Sequence, residues 1–215
     1  MISLQLTVCE LPIGNVLSYI CTSPDGQRHI FFTMLDASLP LPTVSVATDC
    51  PLTVSILPPQ AGAENFTQFT LSVSPGKQLA GLSLAEQLRR ERARDMGSGL
   101  AACEWATQLN KGVARMLVPL SGCLYIFDYC THTGEGSVVR VYGEEREGEG
   151  AIDPHLSPDG LSLCFVLERG SDKDIYLLSL ADRYPPFSSN APPPSPSLQR
   201  LTQGGEGVAS GVAEY

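Results

Sequence analysis

The chain contains no Gly-x-Ser-x-Gly, and none of its seven cysteines forms a Cys-x-x-Cys pair. Ser162 has Gly160 two residues before it but Cys164 two after, and Ser83 fails in the same way at Ala85. Without the glycines that let a serine sit on a sharp strand-to-helix turn there is no nucleophile elbow. The three histidines, His29, His132 and His155, are scattered and none sits in a setting typical of a triad, so no peptide-bond cleavage is expected of these residues. Unclustered thiols and imidazoles also give no metal-ligand set, and nothing in the sequence points to a cofactor. Positive charge is scarce: 14 Lys and Arg stand against 23 Asp and Glu, a net charge of −9. That balance excludes a nucleic-acid surface, which needs a basic stripe to neutralise phosphates. Residues 1–20 have neither a basic start nor a sustained apolar run, so no signal peptide or membrane span is expected. An odd number of cysteines, several inside apolar runs, reads as free thiols in a reducing compartment, and the expected localisation is cytoplasmic.

Turn residues, by contrast, are abundant: 20 Gly and 17 Pro accompany a hydrophobic content of 43%. The length suits one sizeable core, and the composition predicts an all-β architecture. Short apolar runs bounded by Gly, Ser and Pro predict strands at 16–21, 29–35, 114–120, 123–128, 163–167 and 174–180. Ser-Pro-Asp-Gly occurs twice, at Ser23–Gly26 and Ser157–Gly160. Proline presets φ at the second position, aspartate bonds nearby backbone, and glycine accepts the exit geometry. A strand–turn–strand–turn–strand unit recurs at about the spacing of one propeller blade, roughly 40–50 residues. Some four such blades of antiparallel strands fill this length, so the fold expected is a partial β-propeller. Its first unit has a different register, because Ser23–Gly26 precedes a third strand instead of a second. No Gly-His…Trp-Asp signature is present, and the single tryptophan, Trp105, is followed by Ala106.

One helix is predicted, over 83–96. Ser83 and Glu86 form an S-x-x-E capping box, and Gly97 supplies the stop. Four arginines, Arg89, Arg90, Arg92 and Arg94, crowd six positions of it, and Leu84 and Leu88 leave only a narrow apolar stripe. So charged a segment is marginal as an isolated helix. It is either a solvated face, with Glu86–Arg90 and Glu91–Arg94 as helical pairs, or it orders around something anionic or carbonyl-rich.

The run Leu82 to Arg94, with Gly97-Ser98-Gly99, Trp105, Leu117-Val118-Pro119-Leu120, Leu124-Tyr125-Ile126-Phe127-Asp128, Asp153-Pro154-His155-Leu156-Ser157-Pro158-Asp159-Gly160, Arg200-Leu201-Thr202 and Gly211-Val212-Ala213-Glu214-Tyr215, resembles the amino-terminal β-propeller of dipeptidyl peptidase IV–type serine peptidases. The resemblance is good over 82–215, loose over 15–36 and slight over 39–77. It implies a propeller seated on an α/β-hydrolase domain, admitting only peptides with a free amino terminus. It implies that an arginine of the helical segment contacts a substrate backbone carbonyl; Arg94 fits that position best, with Arg92 as the fallback. A guanidinium suits the task, being always charged and carrying fixed donors. The family's pair of ammonium-binding glutamates falls beyond Tyr215, as does the hydrolase domain, and Glu214 is not one of that pair. The family's propeller also needs about twice as many blades as fit in this length, so open sheet edges and poor solubility are expected.

Two expectations of function follow. One is the non-catalytic propeller portion of a dipeptidyl-peptidase-type serine exopeptidase, gating and positioning peptides. The other is a stand-alone propeller-like interaction module without peptidase activity. Three further segments are assigned outside the repeating units. Residues 39–77 read as an insertion, with the alternating runs 43–46 and 69–73 as edge strands. Residues 144–149 read as a solvated acidic loop. Residues 184–198, with six prolines, read as a disordered loop inside one hairpin.

Overall fold

The computed structural model describes residues 5–11, 14–34, 43–57, 68–74, 87, 98–109, 112–143, 149–169, 172–181 and 197–203. Among them the fold is all-β, in three sheets, with the first two interleaved in sequence. Sheet A runs β1 (Gln5–Leu11), β2 (Gly14–Thr22), β3 (Gln27–Met34), β6 (Gln68–Val73), β5 (Leu52–Leu57), with the two-residue β7 (Ser98–Gly99) parallel to the start of β3. Sheet B runs β4 (Thr43–Val46), β11 (Glu135–Tyr142), β10 (Cys123–Cys130), β9 (Val113–Leu120), β8 (Glu104–Trp105), with β4 parallel to β11. Sheet C is the antiparallel meander β12 (Glu149–Leu156), β13 (Ser162–Arg169), β14 (Asp172–Ser179), β15 (Leu198–Arg200).

Sheet B is the middle layer. Along β9 and β10 successive side chains point to opposite faces. Ala114, Met116, Val118, Tyr125, Phe127 and Tyr129 enter a core shared with Val16, Ile30, Phe32, Phe69 and Leu71 of sheet A. Leu117, Leu124 and Ile126 enter a second core with Leu163, Phe165, Leu167 and Leu178 of sheet C. Burial on both faces explains why these two strands read as continuous apolar runs instead of alternating ones. Aromatic rings bind the first core: Phe32 stacks on Phe69 at 4.8 Å and meets Trp105 and Phe127 edge-on at 5.3 and 5.0 Å.

The expected repeat is visible between sheets B and C. β9–β10 and β13–β14 are both eight-residue strands joined by two residues, at a constant offset of 49 residues. The β9–β10 connection places Ser121 at φ 49° and Gly122 at φ 76°. Two successive left-handed residues are the signature of the tight turn that matches strand twist.

Both Ser-Pro-Asp-Gly turns form as expected and are built alike. Gly26 N–H donates to Ser23 O at 2.9 Å, and Gly160 N–H to Ser157 O at 2.8 Å. In each, the serine hydroxyl bonds the aspartate, whose carboxylate also accepts a backbone N–H two residues on, from Gln27 or Leu161. Those hydroxyls, then the N–H groups, hold both carboxyls below the usual carboxylate range. The first turn leads from the second to the third strand of the β1-β2-β3 meander and the second from the first to the second strand of sheet C, the register difference expected from the sequence.

The segment 39–77 departs from its expectation in one respect. β4 is an edge strand, but β6 is interior, paired with β3 on one side and β5 on the other. The reason is the burial of Phe69 and Leu71, which an edge would leave half in water. Residues 144–148 and 182–196 lie outside the described residues; the strands flanking the proline-rich stretch, β14 and β15, pair as a hairpin.

Candidate functional site

The helix expected over 83–96 lies outside the described residues except for Gln87, which is helical; Arg92 and Arg94 are not described. The chain re-enters description at β7, where Ser98 and Gly99 pair with Gln27 and Arg28 just beyond the Ser23–Gly26 turn. It then passes buried Leu100 and reaches β8, the edge strand of sheet B.

Beside β8 stands β12, the edge strand of sheet C, and the two edges meet through polar groups. Leu156 N–H donates to Glu104 Oε2 at 3.0 Å. His155 Nδ1 lies 3.4 Å from the same oxygen, and His155 Nε2 lies 3.8 Å from Asp153 Oδ1. Asp153 holds a left-handed φ of 48°, and the β12–β13 register shifts between Ile152 and His155. A bulge re-aims side chains in this way. All three side chains are exposed. The two carboxylates make this edge acidic, and the hydroxyl of Ser157, two residues on from His155, donates to Asp159 at 2.6 Å.

Behind this rim lies a charge pair that sequence reasoning missed. Arg115 on β9 and Asp128 on β10 are directly opposed in register. Arg115 Nε donates to Asp128 Oδ1 at 2.7 Å and Nη2 to Oδ2 at 3.0 Å, with the side chains 1% and 4% exposed. The third donor, Nη1, reaches across to Gly160 O at 2.7 Å. Gln108 N–H donates to Pro158 O at 2.7 Å, so sheet B grips the Ser157–Gly160 turn of sheet C twice. Gly160 is at φ 71°, and a Cβ there would lie 3.1 Å from the Ala106 Cβ and 3.2 Å from the Arg115 Cδ. The signal available in the sequence was one arginine inside an apolar run and one aspartate closing the next, at facing positions.

All seven cysteines are free. Burial pushes the Cys103 thiol up to about 12. At Cys130 burial acts in the same direction, but hydrogen bonds from the Thr133 hydroxyl and from backbone N–H groups of Thr133 and His132 outweigh it and hold the thiol below its ordinary value. Because the thiolate is the nucleophile, iodoacetamide at pH 8 is expected to label Cys130 well before Cys103 in the native protein. Peptide mass spectrometry after timed quenching reads the order, and equal labelling would contradict it.

Among the described residues no group of three His, Cys, Asp or Glu is arranged to hold a metal ion, and no helix is long and apolar enough to cross a membrane. The chain matches no protein-family model and no curated protein.

Proposed function

We propose that this chain is a cytoplasmic, non-catalytic part of the β-propeller of a dipeptidyl-peptidase-type serine exopeptidase, gating and positioning peptides that carry a free amino terminus. The observation that carries the reading is the stacked repeat: sheets B and C succeed one another face to face at a 49-residue offset, with β8 and β12 side by side as edge strands. In a toroidal arrangement of about four blades, those edges line the central opening. Glu104, Asp153 and His155 then give the opening an acidic wall, which favours the ammonium end of a peptide. Arg94, with Arg92 as the alternative donor, holds a backbone carbonyl of the bound peptide. Chemistry belongs to an α/β-hydrolase domain following Tyr215.

The test is a titration of isotope-labelled protein with a short unstructured peptide, followed at the arginine Nε–Hε resonances. Shifts at Arg94 are expected, and Arg94→Ala is expected to weaken binding by about 1–3 kcal/mol, the scale of a charge-assisted hydrogen bond and the desolvation cost of leaving its partner unmade. Equal affinity in the variant would remove Arg94 from the site.

A further inference from the structure

Two thiols from different parts of the chain lie on either side of one buried serine. Cys9, on β1, is directly opposite Val16 of β2, so its side chain shares the core-facing side of sheet A with Val16 and Ser18. Ser18 is the next residue on that face and stands diagonal to Cys9, roughly 7 Å away in such a ladder. Cys103 approaches Ser18 from the side of sheet B. It lies two residues before Trp105, whose Nε1–H donates to Ser18 Oγ at 3.3 Å, and the Ser18 hydroxyl donates on to the Cys103 thiol. Both cysteines pack against the first core. They also sense each other: after burial, the cause that raises the Cys103 thiol is the negative charge of Cys9.

The pair is also within reach of solvent. β1 is an edge strand of sheet A, Cys9 is half-buried on it, and its neighbours Val8 and Glu10 are exposed. Cys103 is half-buried as well. Cys50 and Cys123 share a neighbour in the same way, Tyr125, but both are buried away from any oxidant in water. Cys9 is therefore the thiol of its pair that a reagent meets first, and Cys103 is the one placed to answer it.

We propose that Cys9 and Cys103 close into a disulfide under oxidising conditions, a latch that fastens the edge strand of sheet A to the entry of sheet B. The oxidant is a small-molecule disulfide. The Cys9 thiolate attacks one of its sulfurs, forms a mixed disulfide and expels one thiolate. The Cys103 thiolate then attacks Cys9 Sγ, forms the protein S–S bond and expels the second. Two protein thiols lose two protons and two electrons, and the small disulfide becomes two thiols. Burial raises both protein thiols, so few thiolates are present to attack and, once bonded, the sulfurs leave poorly. The latch is thus slow to close and slow to reduce. The loop it closes holds every strand from β2 to β7, and long loops gain most from a cross-link. The latch involves no residue of the peptide-binding proposal, so either can fail without the other.

The test is incubation of the native chain with oxidised glutathione at pH 8 for hours, alkylation of the remaining thiols, and unreduced peptide mapping by mass spectrometry. A peptide pair joined through Cys9 and Cys103 is expected. Cys103→Ser is expected to leave Cys9 as a stable mixed disulfide with glutathione, the species that Cys103 resolves in the parent protein. The urea midpoint of the oxidised parent is expected to rise by about 1 M over the reduced protein, and to fall back on full reduction. A parent map in which Cys9 and Cys103 stay unlinked, or carry glutathione separately, would overturn the proposal. So would a link that leaves the urea midpoint unchanged.

Discussion

Arg115→Ala is expected to destabilise the protein by about 3–5 kcal/mol, because it leaves Asp128 as a buried charge without its partner. The guanidinium fills three roles at once: it pairs bidentately with Asp128, satisfies Gly160 O, and so ties the sheet C turn to sheet B. Its aliphatic stem also packs beside Gly160 and is lost in the variant. The loss is a large share of the 5–15 kcal/mol typical of folded domains. Urea denaturation followed by circular dichroism reads it. The paired replacement Arg115→Met with Asp128→Leu is expected to recover most of the loss, since an apolar pair of similar volume needs no charge compensation, although Gly160 O stays unserved. A cost below about 1 kcal/mol for Arg115→Ala would place the pair in contact with water, at the level of a surface ion pair.

Phe32→Ala is expected to cost about 3–5 kcal/mol, the range for removing a fully buried phenylalanine and leaving a cavity behind. Phe32 is completely buried and touches Phe69 on its own sheet and Trp105 and Phe127 on sheet B, so the cavity opens at the sheet A–sheet B interface. Trp105, the only tryptophan, reports the change from within the same cluster. Its Nε1–H donates to Ser18 of β2, which fixes the indole across the interface. Denaturation by urea read by Trp105 emission should shift to lower midpoint with little change in slope. An unchanged midpoint would show that sheets A and B are not packed through this cluster.

Much of the fold was legible because the strand signals were local. The apolar runs bounded by Gly, Ser and Pro became β2, β3, β9, β10, β13 and β14, and both Ser-Pro-Asp-Gly turns formed through the hydroxyl and carboxylate bonds that their residues dictate. β1, β5, β7, β11 and β12 were not anticipated, and Glu149, read as part of a solvated loop, begins β12. β11 carries Glu135, Gly136, Ser137 and Arg140, and only Val138 and Val141 of it are deeply buried apolar positions, which is too little contrast for a period-two pattern to stand out. β6 passed for an edge because its run Phe69–Val73 alternates with Thr70 and Ser72; only the tertiary neighbours β3 and β5 on either side show it to be interior. The Arg115–Asp128 pair was hidden for a related reason. It is created by strand register and by a turn 45 residues further on, and neither is encoded in the local pattern around Arg115. The arginine-rich stretch shows the converse. Its capping box and stop are local signals, and Gln87 is helical, yet what its arginines meet is set by surroundings that spacing does not carry.

The assignment of the chain to a peptide-gating propeller is tested most directly by sequencing the transcript past the codon for Tyr215. The account predicts two adjacent glutamate codons a short way downstream and, further on, a hydrolase domain with Gly-x-Ser-x-Gly. A stop codon directly after Tyr215 would contradict it and leave a stand-alone β-sheet module in its place.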